Sequence, residues 1–155
     1  MWKRATVAIG IVLLAASLVN AAGIAVSAYS GEQHIALRAG LEVTDDLELG
    51  IQGEGTTLNN FWEQDCTLED TLIGGYADLK IDIGDNWNID PVIGGQFGYG
   101  LDTQGWQVGP EAGIRFNIHS NIAASALVQY RWQDGDLQDK YDGGVTWLLG
   151  ARVRF

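Results

Sequence analysis

The feature that most constrains this chain is an alternation of period two. It runs from about Gly23 to Phe155 and leaves one face of every strand without a charge. Successive side chains of a β-strand point to opposite sides, so the alternation sorts residues into two faces. It places strands at about Gly23 to Tyr29, His34 to Val43, Leu47 to Gly55, Leu72 to Asp82, Trp87 to Tyr99, Trp106 to Ile118, Ile122 to Trp132 and Val145 to Phe155. The uncharged face collects runs such as Leu37, Ala39, Leu41 and Val43, or Trp147, Leu149, Ala151, Val153 and Phe155. The opposite face holds Arg38, Glu42, Glu48, Glu54, Asp78, Lys80, Asp82, Asp90, Glu111, Arg115, Arg131, Arg152 and Arg154, spaced by glycines and amides. Beyond the N-terminal segment no 3.6-residue periodicity competes with this pattern.

Two architectures bury one apolar face: a soluble barrel or sandwich with its apolar face inside, or a membrane barrel with its apolar face outside. The bases discriminate. Two of the nine, Lys3 and Arg4, precede the strands, six lie on the polar face of strands, and only Lys140 falls in an expected loop. A water-facing outer wall would spread bases over loops as well. Bases matched by a similar number of acids on one face fit an enclosed ionic interior, where each buried charge needs a partner. A tilted membrane crossing needs about 9 to 11 residues, which most of these strands supply.

The connections agree with this. Tight turns at Thr44 to Asp46, Gly84 to Asn86 and His119 to Asn121 alternate with longer loops at Thr56 to Asp70 and Gln133 to Gly144, and the link from Gly100 to Gly105 is a short exception. Outer-membrane barrels have short periplasmic turns and longer extracellular loops. The expected fold is therefore all-β, an eight-stranded antiparallel up-and-down transmembrane β-barrel. Tracing back from a periplasmic C-terminus gives two belts of rings on the apolar face, as amphipathic side chains form at interfaces. Trp87, Phe116 and Phe155 fall at the periplasmic rim, and Tyr99, Trp106, Tyr130 and Trp132 at the outer rim. Pro91 and Pro110 lack the N–H a closed ladder needs, and a bulge is expected at each.

The chain starts with Lys3 and Arg4 followed by the uncharged stretch Ala5 to Val19, a basic n-region and an h-region of secretory length. The expected division is a signal peptide over 1–21 and a barrel over 22–155. The other possible cleavage site, at Ala28, would delete most of the first strand. An uncleaved membrane helix from Ala5 to about Ala28 is the alternative reading. The formal net charge of −11 argues against nucleic acid as a partner. With the single Cys66, no internal disulfide is expected.

The stretches "PVIGGQFGYG", "GWQVGPEAGIRFNI", "NIAASALVQYRW" and the terminal "GARVRF" resemble the small eight-stranded outer-membrane barrels, the OmpA membrane domain, OmpX and opacity-protein type. That resemblance implies residence in the outer membrane of a Gram-negative bacterium. It also implies a terminal strand read by the barrel assembly machinery, mapped here onto Trp147, Leu149, Ala151, Val153 and Phe155. A peptidoglycan-binding domain after the barrel is not expected.

Catalytic residues are few. Ser30, Glu32 and His34 alternate near the outer mouth, a spacing that is weak support for a triad because triads are defined by geometry. His119-Ser120-Asn121 resembles the His-x-Ser-Asn motif of lipid A deacylases without its spacer, and turn chemistry accounts for it. No catalytic residue, cofactor or metal is expected. The expected lumen network is Arg38, Glu42, Glu48, Asp78, Lys80, Asp90, Glu111, Arg115, Arg131, Arg152 and Arg154. The outer loops carry Glu32, Glu63, Asp65, Glu69, Asp70, Asp102, Asp134, Asp136, Asp139 and Asp142 against Lys140 alone. Such a face is solvated or attracts a basic extracellular partner or divalent cations. Phe61 and Trp62, near Cys66, are an adhesive patch or rim packing. The expected function is a plugged structural or surface-interaction barrel embedded in outer-membrane lipid. A narrow conduit through gaps left by inward glycines is the alternative, and a lipid A-modifying enzyme comes third.

Overall fold

The computed structural model describes residues 23–31, 34–57, 68–84, 87–135 and 144–155. Eight strands follow one another: β1 Gly23–Ser30, β2 His34–Glu42, β3 Leu47–Thr57, β4 Leu68–Lys80, β5 Ile89–Gly100, β6 Trp106–His119, β7 Ile122–Asp134 and β8 Gly144–Arg154. Each pairs antiparallel with the next, and β1 pairs with β8 to close the barrel. All eight strands of the alternation are present. The leader and its cleavage site lie outside the described residues. A membrane helix reaching Ala28 is overturned, because Gly23–Ser30 is a strand paired on both sides.

The uncharged face is the outer wall. Leu37, Leu49, Ile93, Phe97, Val128, Trp132 and Leu149 are exposed on it. The polar face is turned inward, where an interior this narrow is filled by side chains. Arg38, Glu48, Asp78, Glu111 and Arg131 are buried there. A small apolar cluster shares the interior: Tyr29, Ala36, Val92, Leu127 and Leu148. Both chain ends of the barrel and the turns after β2, β4 and β6 lie at one end, the short-turn end. The connections after β1, β3, β5 and β7 lie at the other, the long-loop end. The β2–β3 turn is held by Thr44, whose Oγ1 accepts from the N–H of Asp46 at 3.3 Å and of Leu47 at 3.0 Å, the local capping that favours Thr in turns.

Three strand ends depart from the sequence pattern. β4 stops at Lys80, which leaves Asp82 exposed beyond it. β5 begins at Ile89, so Trp87 stands outside the strand. β3 and β4 reach to Thr57 and back to Leu68, which takes Asp70 out of the loop and into the wall. The bulges expected at the prolines are absent. The β5–β6 register is unbroken from Ile89↔Phe116 to Tyr99↔Trp106, and Pro91 sits where the β4 ladder has ended at Lys80↔Val92. At Pro110 the β6–β7 ladder omits two rungs, yet Val108↔Trp132 and Glu111↔Gln129 keep one register. The strand absorbs the missing N–H by leaving rungs unmade. The shifts that do occur lie between Thr56 and Thr57 and between Asn117 and His119.

Candidate functional site: the lumen network

The register brings three acids side by side on one wall. Glu42 pairs with Glu48 across β2 and β3, and Glu48 with Asp78 across β3 and β4. Like charges directly opposite are destabilising on a sheet. Arginines from the facing strands offset this. Arg152 on β8 reaches Glu42 at 2.7 Å and Glu48 at 2.8 Å. Arg115 on β6 reaches Glu48 at 3.2 Å and Asp78 at 2.8 Å. Higher in the barrel, Arg38 grips Glu111 with two parallel bonds of 2.7 Å and lies 3.9 Å from Asp78. Such a bidentate fork is the strongest pairing available to a carboxylate.

The chain of contacts continues toward the long-loop end. Gln129 donates to Glu111 at 2.6 Å and accepts from Arg131 at 2.5 Å. Arg131 pairs with Glu54, which also meets His34 Nδ1 at 2.8 Å and takes Gln107 Nε2 at 3.3 Å. At the short-turn end Arg154 joins through Glu42 at 2.6 Å. Arg154, Glu42, Arg152, Glu48, Arg115, Asp78, Arg38, Glu111, Gln129, Arg131 and Glu54 thus form one ladder of alternating charge along the barrel axis.

The expected network and the observed one differ at the strand ends. Lys80 lies at the rim, 3.7 Å from Asp46, with both side chains partly exposed. Among the described residues Asp90 joins no ion pair, and it accepts from Asn117 at 2.8 Å. Both share the inward parity of the ladder, but they stand where the lumen widens into water.

Several interior residues escaped the sequence reading. Tyr76 donates to Glu48 at 2.6 Å and lies 4.5 Å beneath the Arg38 guanidinium, while Tyr29 lies at 5.4 Å. Gln52, Gln96 and Gln107 join by amide contacts of 3.1 and 3.4 Å. Parity alone puts Tyr76, Gln52, Gln96 and Gln107 inside, and their hydrogen-bonding ends were the available signal. Side chains fill the gaps expected at four of the inward glycines. A Cβ at Gly40 or Gly50 would strike Tyr76, one at Gly150 would strike Tyr29, and one at Gly94 would strike Asp78. The glycines are seats for larger neighbours.

Ser30 and His34 are not brought together, whereas His119, Ser120 and Asn121 meet in one turn. Ser30 stands on the outward parity of β1, opposite Ile35, while His34 faces inward onto Glu54. Glu32 lies outside the described residues. In the exposed turn after β6, Ser120 Oγ donates to Asn121 Oδ1 at 2.8 Å. The same Oγ lies 3.1 Å from His119 Nδ1, so the three side chains form one polar cluster on the turn at the short-turn end.

Asp70, expected as a solvated loop acid, is buried. Its carboxylate accepts from the N–H of Thr71 at 2.8 Å and of Asp102 at 3.0 Å, and from Thr103 Oγ1 at 2.6 Å. It ties the β5–β6 connection to the wall. Asp70→Ala is expected to free that connection and lower stability by about 1–3 kcal/mol, the cost of stranded donors. Hydrogen exchange at the Asp102 amide, accelerated in the variant, checks it.

On the outer wall the assembly-signal positions Trp147, Leu149, Ala151, Val153 and Phe155 all face outward and are exposed. Of the belt residues, Tyr99 pairs with Trp106, and Tyr130 and Trp132 meet edge to face at 5.0 Å near the long-loop end. Phe116 and Trp87 are exposed at the other end. Phe61, Trp62, Glu63, Asp65, Cys66, Asp136, Asp139, Lys140 and Asp142 lie outside the described residues.

No family model matches the sequence, and no curated protein matches it. Solved structures do. The N-terminal β-barrel domain of Pseudomonas aeruginosa OprF superposes with a TM-score of 0.60 at 15% identity, over 86% of this chain and 96% of that one. Neisserial surface protein A gives 0.57 at 16%, over 86% and 94%. A de novo designed transmembrane β-barrel gives 0.60 at 13%, over 86% and 95%. At such identities the likeness is one of architecture. The chain has the fold of the small eight-stranded outer-membrane barrels.

Proposed function

We propose that this chain is a closed barrel of the Gram-negative outer membrane, acting in structure or surface interaction without catalysis. The observation that carries the reading is the ladder: a lumen crossed end to end by paired charges, inside a wall whose outer face is apolar. Moving an ion through it would require parting buried pairs, each held against a large desolvation cost. The filled glycine seats disfavour the narrow conduit, and the opposite facing of Ser30 and His34 together with the position of His119 and Ser120 in a turn at the short-turn end disfavours a lipid A enzyme. Asp102 and Asp134, exposed at the long-loop end, support the reading of a basic partner or divalent cations there. The outward-facing terminal strand supports its role in recognition by the assembly machinery.

Reconstituted in a planar bilayer, the native chain is expected to carry no steady ion current, and sustained single-channel steps would overturn the plugged reading. On SDS gels the unheated barrel should migrate apart from the boiled chain. A monomer that stays soluble without detergent would overturn the membrane assignment.

A further inference from the structure

At the short-turn end the ladder opens into a vestibule of about 400 Å³ whose lining includes Arg115, Arg152, Arg154, Glu42, Asp45 and Asp90. Small-molecule sites span about 300–1,000 Å³, so the space is of ligand size. Its floor is buried and under-used. Arg115 and Arg152 are 7% and 8% exposed, and the Nε of each has no partner. Arg152 and Arg154, two residues apart on β8, lie on one face of the strand. Each commits Nη2 to Glu42. Asp90 has one oxygen engaged by Asn117.

The signs in this space restrict what fits it. A free anion would meet Glu42, Asp45 and Asp90, and a free cation would meet three guanidiniums. A guest bearing both charges meets neither penalty. We propose that the vestibule binds a small zwitterion of amino-acid or dipeptide size, its carboxylate on the guanidiniums of Arg152 and Arg154 and its ammonium toward Asp45 and Asp90. This goes beyond the plugged-barrel reading and does not depend on it, since a barrel that conducted would leave the site in place.

The test uses the full chain in nanodiscs, observed through arginine side-chain Nε–Hε signals in NMR. Three probes separate the charges: diglycine carries both, N-acetylglycine only the carboxylate, glycinamide only the ammonium. Diglycine is expected to shift the Arg152 and Arg154 signals with Kd of about 1 mM, and the other two to bind at least about tenfold more weakly. Arg154→Gln and Asp45→Asn should each weaken diglycine by a similar factor. Asp45 lies in an exposed turn, so its variant keeps the test open should Arg154→Gln fail to fold. Equal shifts from all three probes, no shift at all, or undiminished diglycine binding by Asp45→Asn would mark the vestibule as a solvated funnel and overturn the proposal.

Discussion

Arg38→Met is expected to destabilise the barrel by about 3–5 kcal/mol, the cost of leaving a buried charge without its partner. Arg38 is 2% exposed and supplies two of the hydrogen bonds that Glu111 accepts. Without it, Glu111 loses its guanidinium but keeps Gln129, and Asp78 loses one of its two guanidiniums. Methionine fills much of the volume between Tyr29 and Tyr76 but offers no donor. Urea unfolding in lipid vesicles, followed by tryptophan fluorescence, measures the loss. The Arg38→Met, Glu111→Met double variant should recover most of it, because a buried pair replaced by apolar groups of similar size is often neutral. A single-variant cost below about 1 kcal/mol, the range of solvated ion pairs, would show that water reaches the ladder.

Val128→Arg tests the opposite face. Val128 lies midway along β7, between Ala112 of β6 and Trp147 of β8, and is 52% exposed. Facing lipid, an arginine there should cost about 2–4 kcal/mol, the penalty near a bilayer midplane. Facing water, the same substitution would fall within about 0.5 kcal/mol. The expected result is a lowered folding yield and urea midpoint in vesicles for Val128→Arg, with Val128→Leu unchanged. A Val128→Arg barrel as stable as the native one would remove the lipid-facing wall from the account.

The strands were legible because period-two alternation is local: a residue's face depends on its own parity and on little else. The partners were not. Arg38 and Glu111 are 73 residues apart, and Arg131 and Glu54 are 77 apart. Parity places all four inside but says nothing of height, which is set by the stagger of the closed barrel. Lys80 and Asp90 illustrate the same limit, since inward parity at a strand end means the rim. Asp70 escaped for another reason. In sequence it belongs to an acidic loop, and only the approach of Thr103 from the β5–β6 connection turns it into a buried tie. A glycine in sequence is only missing volume, whereas Tyr76 and Tyr29, from other parts of the chain, occupy the space above Gly40, Gly50 and Gly150.

The long sequence separation of the ladder's rungs has a kinetic consequence. Arg152 meets Glu42 and Glu48 across 110 and 104 residues, so these rungs cannot form while β8 is still apart from the first strands. Arg38 and Arg131 likewise wait for β6 and β7. A half-curled sheet therefore keeps its arginines and carboxylates hydrated and draws almost no stabilisation from them. Such non-local contacts slow a folding reaction, because the chain must be ordered before they form. Closure of the β1–β8 seam and drying of the lumen should thus occur as one late event, with no stable open-sided intermediate before it.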